Sequence, residues 1–295
     1  MDGDSPLGDF LRTRRSQLLP EEAGVPLYGE RRRVPGLRRE ELALLAGVST
    51  SYYTRLEQGQ SRNASPEVLD AIARALCLDE SERLHLHDLA RSAQQRGRRR
   101  RPAPERVTEA TAQLLDALAD VPAIVLGRRS DVLAWNPLGH ALFAGDLDPG
   151  APDVPARRPN MARMVFLDAH TRALYVDWPG KARAVVGNLR LVAGQCPDDA
   201  ALHALVGELC AKSPEFASMW ADHRVRACTV ATYEMRHPLV GSLTVTQQTL
   251  GHGTGGPGVV VATTAAGSAS RAALTLLAQA VTPRSAPVRT SPATP

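Results

Sequence analysis

Residues 37–59 read LRREELALLAGVSTSYYTRLEQG, and this stretch decides the fold of the first part of the chain. Apolar residues recur at helical spacing in its first half, which predicts a short helix over residues 38–46. Gly47 stands where a glycine can end a helix in the left-handed conformation, and Ser49 is suited to cap a second helix. Gly59 would end that helix. Two short helices with a tight turn predict a helix–turn–helix.

The basic residues around this stretch favour a DNA-binding unit over a helical hairpin that only packs. Between Tyr28 and Arg62 there are seven arginines and four acidic residues. Residues 1–78 as a whole have eleven arginines and eleven acids, so phosphate attraction must come from arginines gathered on one side. The predicted contacts to double-stranded DNA are made by Arg31, Arg32, Arg33, Arg38, Arg39, Ser49, Thr50, Ser51, Thr54 and Arg55.

These motifs also resemble a known family. LRREELALLAGVSTSYYTRLEQG followed by SPEVLDAIARAL is similar to phage-repressor-like regulators of the xenobiotic-response-element type, and RRRVPGLRREEL resembles the MmyB-like regulators of actinobacteria. In the second half, VLAWNPLGHALFA, LYVDWPGKARAVVGNLR, DDAALHALVGELCAKSPEFASMWADHRV and RHPLVGSLTV are similar to the ligand-binding domain of that family. The resemblance covers roughly residues 7–280. It implies a PAS-like domain that takes a fatty-acid-like molecule.

The whole pattern predicts an all-α helix–turn–helix domain followed by an α+β PAS-like domain with an antiparallel sheet. Apolar periodicity indicates five helices in the first part. The second part begins with a helix and two short strands, continues with helices, and then has three strand-like runs and a last helix. The predicted organisation is a DNA-binding domain at residues 1–95, an arginine- and proline-rich linker at 96–106, a PAS-like domain at 107–281 and a disordered tail at 282–295.

Two arginine-rich segments leave alternatives open. The connector at residues 20–36 is long, and such loops are usually functional or disordered. Its three arginines predict a path along the DNA backbone, but a solvated basic loop would have the same composition. Four successive arginines at residues 98–101 could contact phosphates or be solvated.

The second domain holds most of the few aromatic residues, and these could line an apolar ligand cavity. Each could equally be an ordinary core residue. The candidates are Trp135, Phe143, Phe166, Tyr175, Trp178, Phe216 and Trp220. If the ligand is fatty-acid-like, as the resemblance implies, Arg183 or Arg190 could hold its carboxylate.

The remaining motifs do not indicate an enzyme, a metal site or a membrane protein. The G-x-G-x-x-G within residues 251–258 leads into a strand and not a helix, so it predicts a hairpin loop and not a dinucleotide site. His85 and His87 lie two apart on a predicted helix and cannot share a metal. The four cysteines have no C-x-x-C spacing, which indicates reduced thiols. No apolar run approaches the roughly 20 residues that span a membrane. We expect no enzyme, metal, cofactor or membrane attachment, and a cytoplasmic location.

The leading hypothesis is a transcription regulator that binds DNA as a homodimer and senses a small apolar ligand. One helix–turn–helix reads only a short half-site, so a dimer on an inverted repeat is expected. One alternative is a DNA-binding protein whose second domain only dimerises or docks on a partner. Another is an enzyme that carries a DNA-binding domain.

Overall fold

The computed structural model describes residues 5–25, 35–61, 63–94, 105–222, 229–251 and 257–281. The first part is all-α, and its described residues form the five helices that apolar periodicity predicted. They are α1 (Pro6–Gln17), α2 (Arg39–Leu45), α3 (Thr50–Glu57), α4 (Pro66–Ala75) and α5 (Glu80–Gln94).

Local chemistry explains where these helices begin and end. Ser5, Ser49 and Ser65 each accept a hydrogen bond from a backbone N–H in the first turn of α1, α3 and α4. Gly47 and Gly59 have φ of +68° and +70°, a left-handed conformation that glycine adopts without strain. The predicted turn between α2 and α3 is therefore confirmed.

The second part is α+β, as the sequence predicted. Its five strands form one antiparallel sheet in the order β2-β1-β5-β4-β3. The strands are β1 (Ala123–Leu126), β2 (Val132–Trp135), β3 (Val230–His237), β4 (Gly241–Leu250) and β5 (Gly258–Thr263). The helices are α6 (Glu109–Ala117), α7 (Pro137–Ala144), α8 (Met161–Leu167), α9 (Ala169–Leu174), α10 (Trp178–Gln195), α11 (Ala200–Lys212), α12 (Pro214–Ala221) and α13 (Ala269–Val281).

Two elements were not predicted. Helix α9 has six residues, too few for an apolar period to appear, and Asp168 stabilises its start by accepting hydrogen bonds from the backbone N–H and the hydroxyl of Thr171. A single 3-10 turn at Ala151–Asp153 lies in a segment that the sequence indicated was loop. Residues 96–104 of the predicted linker at 96–106 and the predicted tail at 282–295 lie outside the described residues.

The last helix of the first part packs on the second part. The Ser92 hydroxyl on α5 donates to the Gly194 carbonyl on α10 at 2.8 Å, and the Gln195 amide donates to Asp88 at 3.1 Å. A side chain at Gly194 would have no room, because a Cβ built there lies 2.6 Å from the ring of His85. Helix α5 therefore belongs to the core of the first part and also forms part of the surface against α10.

Candidate functional site

Helix α3 presents a polar outer face and an apolar inner face. Tyr53 and Leu56 are fully buried, whereas Thr50, Ser51 and Arg55 are exposed. The second helix of a helix–turn–helix is generally the recognition helix, which in this chain is α3. Its exposed hydroxyl and guanidinium groups can form hydrogen bonds with base edges and phosphates.

Glu57, the last residue of α3, anchors this helix to the two helices before it. Its side chain is fully buried. Arg15 of α1 makes two hydrogen bonds to its carboxylate, at 2.9 and 3.0 Å, and Arg39 of α2 reaches it at 2.8 Å. Burial by itself raises the pKa of the Glu57 carboxyl, but the hydrogen bonds and charges of Arg15 and Arg39 outweigh it, so the pKa is lowered. Burial and the Glu57 charge raise the pKa of the neighbouring Tyr53.

The other predicted DNA contacts occupy different environments. Ser49 caps α3 through its hydroxyl, Thr54 is a partly exposed residue of α3 itself, and Arg38 is partly exposed at the start of α2. Arg39 is committed to the Glu57 carboxylate, so it contributes to the fold besides any phosphate contact. Arg31, Arg32 and Arg33 lie outside the described residues.

The second part contains a cavity of about 360 Å³ between the sheet and α10, within the usual size of a small-molecule site. Its walls are mainly apolar. The apolar lining comprises Leu84, Ile124, Leu126, Phe143, Met161, Ala184, Val185, Leu191, Val192, Ala231 and Val260. Helix α5 of the first part supplies Ser81, Leu84, His87, Asp88 and Arg91 to the same cavity.

A buried polar cluster lies at one end of the cavity. Lys181 of α10 is only 8% exposed, and its Nζ donates to the side-chain oxygen of Gln247 at 2.8 Å. The same Nζ lies 5.1 Å from the ring centre of Tyr175 and 4.9 Å from that of Tyr233. Cation–π attraction therefore adds to the hydrogen bond. Gln247 in turn donates to the Tyr175 hydroxyl at 3.3 Å.

Two of the nine residues predicted to bind a ligand line this cavity, namely Phe143 and Tyr175. The rest lie outside its lining in the described residues. Phe166 and Trp178 pack edge to face at 5.7 Å in the core, and Trp220 stacks on Phe216 at 5.6 Å. The Trp135 indole donates to the carbonyl of Pro149.

The two arginines predicted to hold a carboxylate also lie outside the cavity lining. Arg183 is exposed on α10. Arg190 is buried, packs over the ring of Trp220 and donates to the Trp220 carbonyl. Burial lowers the pKa of Arg190 to about 10, although the Asp222 charge opposes this. Lys181 was not among the predicted ligand-binding residues. It is one of only two lysines in the chain and lies on the apolar face of α10.

Other kinds of site receive no support from the described residues. They contain no group of three or more His, Cys, Asp or Glu side chains that could hold a metal ion. None of their helices is both long enough and apolar enough to cross a membrane.

The comparison with known families agrees with this arrangement of a helix–turn–helix and a cavity. A model described as the MmyB-like transcription regulator ligand binding domain matches residues 107–277, and a model described as a helix-turn-helix domain matches residues 6–86. Both describe parts of transcription regulators and not enzymes. No curated protein matches the chain. Since the first match covers more than half of the 295 residues, the chain belongs to the MmyB-like transcription regulators, with a DNA-binding helix–turn–helix followed by a ligand-binding domain.

Proposed function

We propose that this regulator binds its operator as a homodimer and senses a fatty-acid-like ligand in the cavity between the sheet and α10. One observation carries the proposal. A mainly apolar cavity, with a buried lysine among its lining residues, shares a wall with the helix–turn–helix domain. Because the proposed partner is the chromosome, the proposed location is the cytoplasm.

The shape and lining of the cavity support a long, mainly apolar ligand. Its lining residues on α10 extend from Lys181 to Gln195, and the fourteen residue steps between them correspond to about 21 Å of helix. An extended acyl chain fits a volume of this length better than a compact polar metabolite does. Apolar walls supply most of the binding free energy, and polar groups select the orientation.

Helix α5 offers a route from the ligand to the DNA. Leu86 and Leu89 of α5 belong to the same core as Tyr53 and Leu56 of the recognition helix, while other faces of α5 line the cavity. A ligand that contacts α5 can therefore bind one position of this helix more tightly than another. Such a difference in affinity is what shifts a conformational equilibrium.

Dimerisation is proposed from the size of the DNA-binding unit. The exposed face of α3 spans only two helical turns, enough for a short half-site. Two copies on an inverted repeat, with half-sites about 34 Å apart, would supply the specificity that a regulator needs.

Native mass spectrometry of the purified full chain tests both parts of this proposal. We expect a dimer that carries a stoichiometric lipid, released into an organic extract and identified by its mass. An empty protein that still fails to bind palmitate after several preparations would instead support the alternative of a docking domain without a ligand. A monomer both free and bound to its operator would contradict the dimer.

A further inference from the structure

We propose that the ligand is an anion that enters head first, with its charged group bound by Lys181 at the closed end of the cavity and its tail directed towards α5. This inference rests on the proposed function, because it assigns the orientation of the same ligand. It makes Lys181 the residue that selects an anionic amphiphile over a neutral one.

The burial of the lining residues identifies the closed end. Along β3, Tyr233 is buried and Ala231 is partly exposed, and Thr229, just before the strand, is exposed. Along α10, Lys181 is buried whereas Gln195 is partly exposed beside α5. The cavity walls formed by β3 and α10 therefore both become more exposed in the same direction, away from Lys181 and towards α5.

Charge pairing distinguishes Lys181 from the other basic side chains that line the cavity. Arg91 pairs with Asp88, and His87 and Arg128 also have carboxylate partners. Lys181 forms no ion pair with a carboxylate of the described residues. Of the three N–H groups of its ammonium, Gln247 accepts one.

Burying a cation without a counterion costs desolvation free energy, and an anion that binds in the same pocket offsets that cost. Tyr175 and Tyr233 flank the ammonium and hold it in place. The Tyr175 hydroxyl and the Gln247 amide lie beside it and provide further hydrogen-bonding groups. A carboxylate is the group that matches this set, because it accepts several hydrogen bonds and carries the opposite charge.

The experiment compares palmitate with methyl palmitate, which has the same tail and no charge. Both would displace a fluorescent fatty acid from the delipidated full chain. We expect the wild type to prefer palmitate by roughly tenfold or more, as for a hydrogen bond to a charged group. Lys181→Met should lose this preference and still bind the ester. Lys212→Met is the matched control, since Lys212 is exposed and is the other lysine of the chain.

Lysine acetylation of the wild type, read by mass spectrometry, tests the same contact without a variant that could misfold. Palmitate should slow the acetylation of Lys181, methyl palmitate should not, and Lys212 should react at an unchanged rate. If Lys181→Met keeps the preference, or if palmitate leaves the Lys181 rate unchanged, Lys181 does not bind the head group while lipid sensing stands. If neither lipid binds the wild type, the proposed function fails as well.

Discussion

Glu57→Ala is expected to lower the free energy of unfolding of the DNA-binding domain by about 3–5 kcal/mol, the usual cost of removing one partner from a buried ion pair. The substitution leaves the guanidinium of Arg15, which is only 12% exposed, without its carboxylate. It also removes the link from α3 to both α1 and α2. Because the recognition helix is held by this link, the variant should also lose specific DNA binding.

Urea unfolding of the full chain, followed by circular dichroism, measures this effect. Glu21→Ala is the control, because Glu21 is exposed in the same domain and should change stability by less than about 0.5 kcal/mol. A loss below about 1 kcal/mol in Glu57→Ala would show that the buried ion pair does not hold the recognition helix.

The same carboxylate predicts a dependence of stability on pH. The pKa of Glu57 is lower in the folded protein than in the unfolded chain, where it is about 4.3. Its contribution is therefore fully present above the unfolded value and is lost as the pH falls through the folded value. In Glu57→Gln this part of the acid dependence should be absent.

Gly194→Leu is expected to separate the two domains by forcing α5 away from α10. A Cβ at this position lies 2.6 and 2.7 Å from two atoms of the His85 ring, which is itself buried and packs against Phe10. Overpacking of this kind typically costs about 1–3 kcal/mol. Since α5 lines the cavity, the variant should also bind palmitate more weakly than the wild type.

Gly207→Leu is the matched control, because Gly207 lies in α11 with nothing near its missing Cβ. Replacing a helical glycine with leucine there should stabilise the chain by roughly 0.5–1 kcal/mol. Calorimetry should show a separate, earlier transition only in Gly194→Leu. If both variants unfold like the wild type and bind palmitate equally, α5 and α10 are not coupled.

Local signals explain why most of the fold was predictable. Ser49, Gly47 and Ser65 specify the ends of their helices through their own backbone and side-chain preferences, which do not depend on distant residues. The alternation of apolar and polar residues from Leu243 to Thr246 likewise reflects a strand with one buried face.

The site was less predictable because it depends on contacts between distant segments. Lys181 and Gln247 are 66 residues apart, and only the folded sheet places them together. Aromatic residues such as Trp178 and Trp220 suggested a cavity by composition, but they fill the core. A charged residue would have indicated the cavity better than the aromatic residues did. Lys181 lies on the buried face of α10, in a chain with 33 arginines and only two lysines.

The sequence also did not indicate that α5 lines the ligand cavity as well as packing in the core of the first domain. Its apolar stripe predicted a helix that packs in the first domain, and it does so through Leu86 and Leu89. Leu84 and His87 lie on another face, and no periodicity indicates that a second domain would meet them.

If ligand binding and DNA binding are coupled, the operator affinity of the full chain should differ with and without saturating palmitate. The operator would first be selected from random-sequence DNA. We expect palmitate to change the affinity by at least about fivefold, and the operator to change the palmitate affinity by the same factor.

Two variants distinguish a loss of DNA binding from a loss of coupling between the ligand and the DNA. If Arg55 makes the predicted base contact, Arg55→Ala should weaken operator binding by roughly 1–3 kcal/mol. It should leave the ratio of operator affinities with and without palmitate unchanged, because it does not alter the contact between α5 and the cavity. Gly194→Leu should bring the ratio of operator affinities with and without palmitate close to one. An operator affinity of the wild type that stays the same while palmitate is bound would contradict the account.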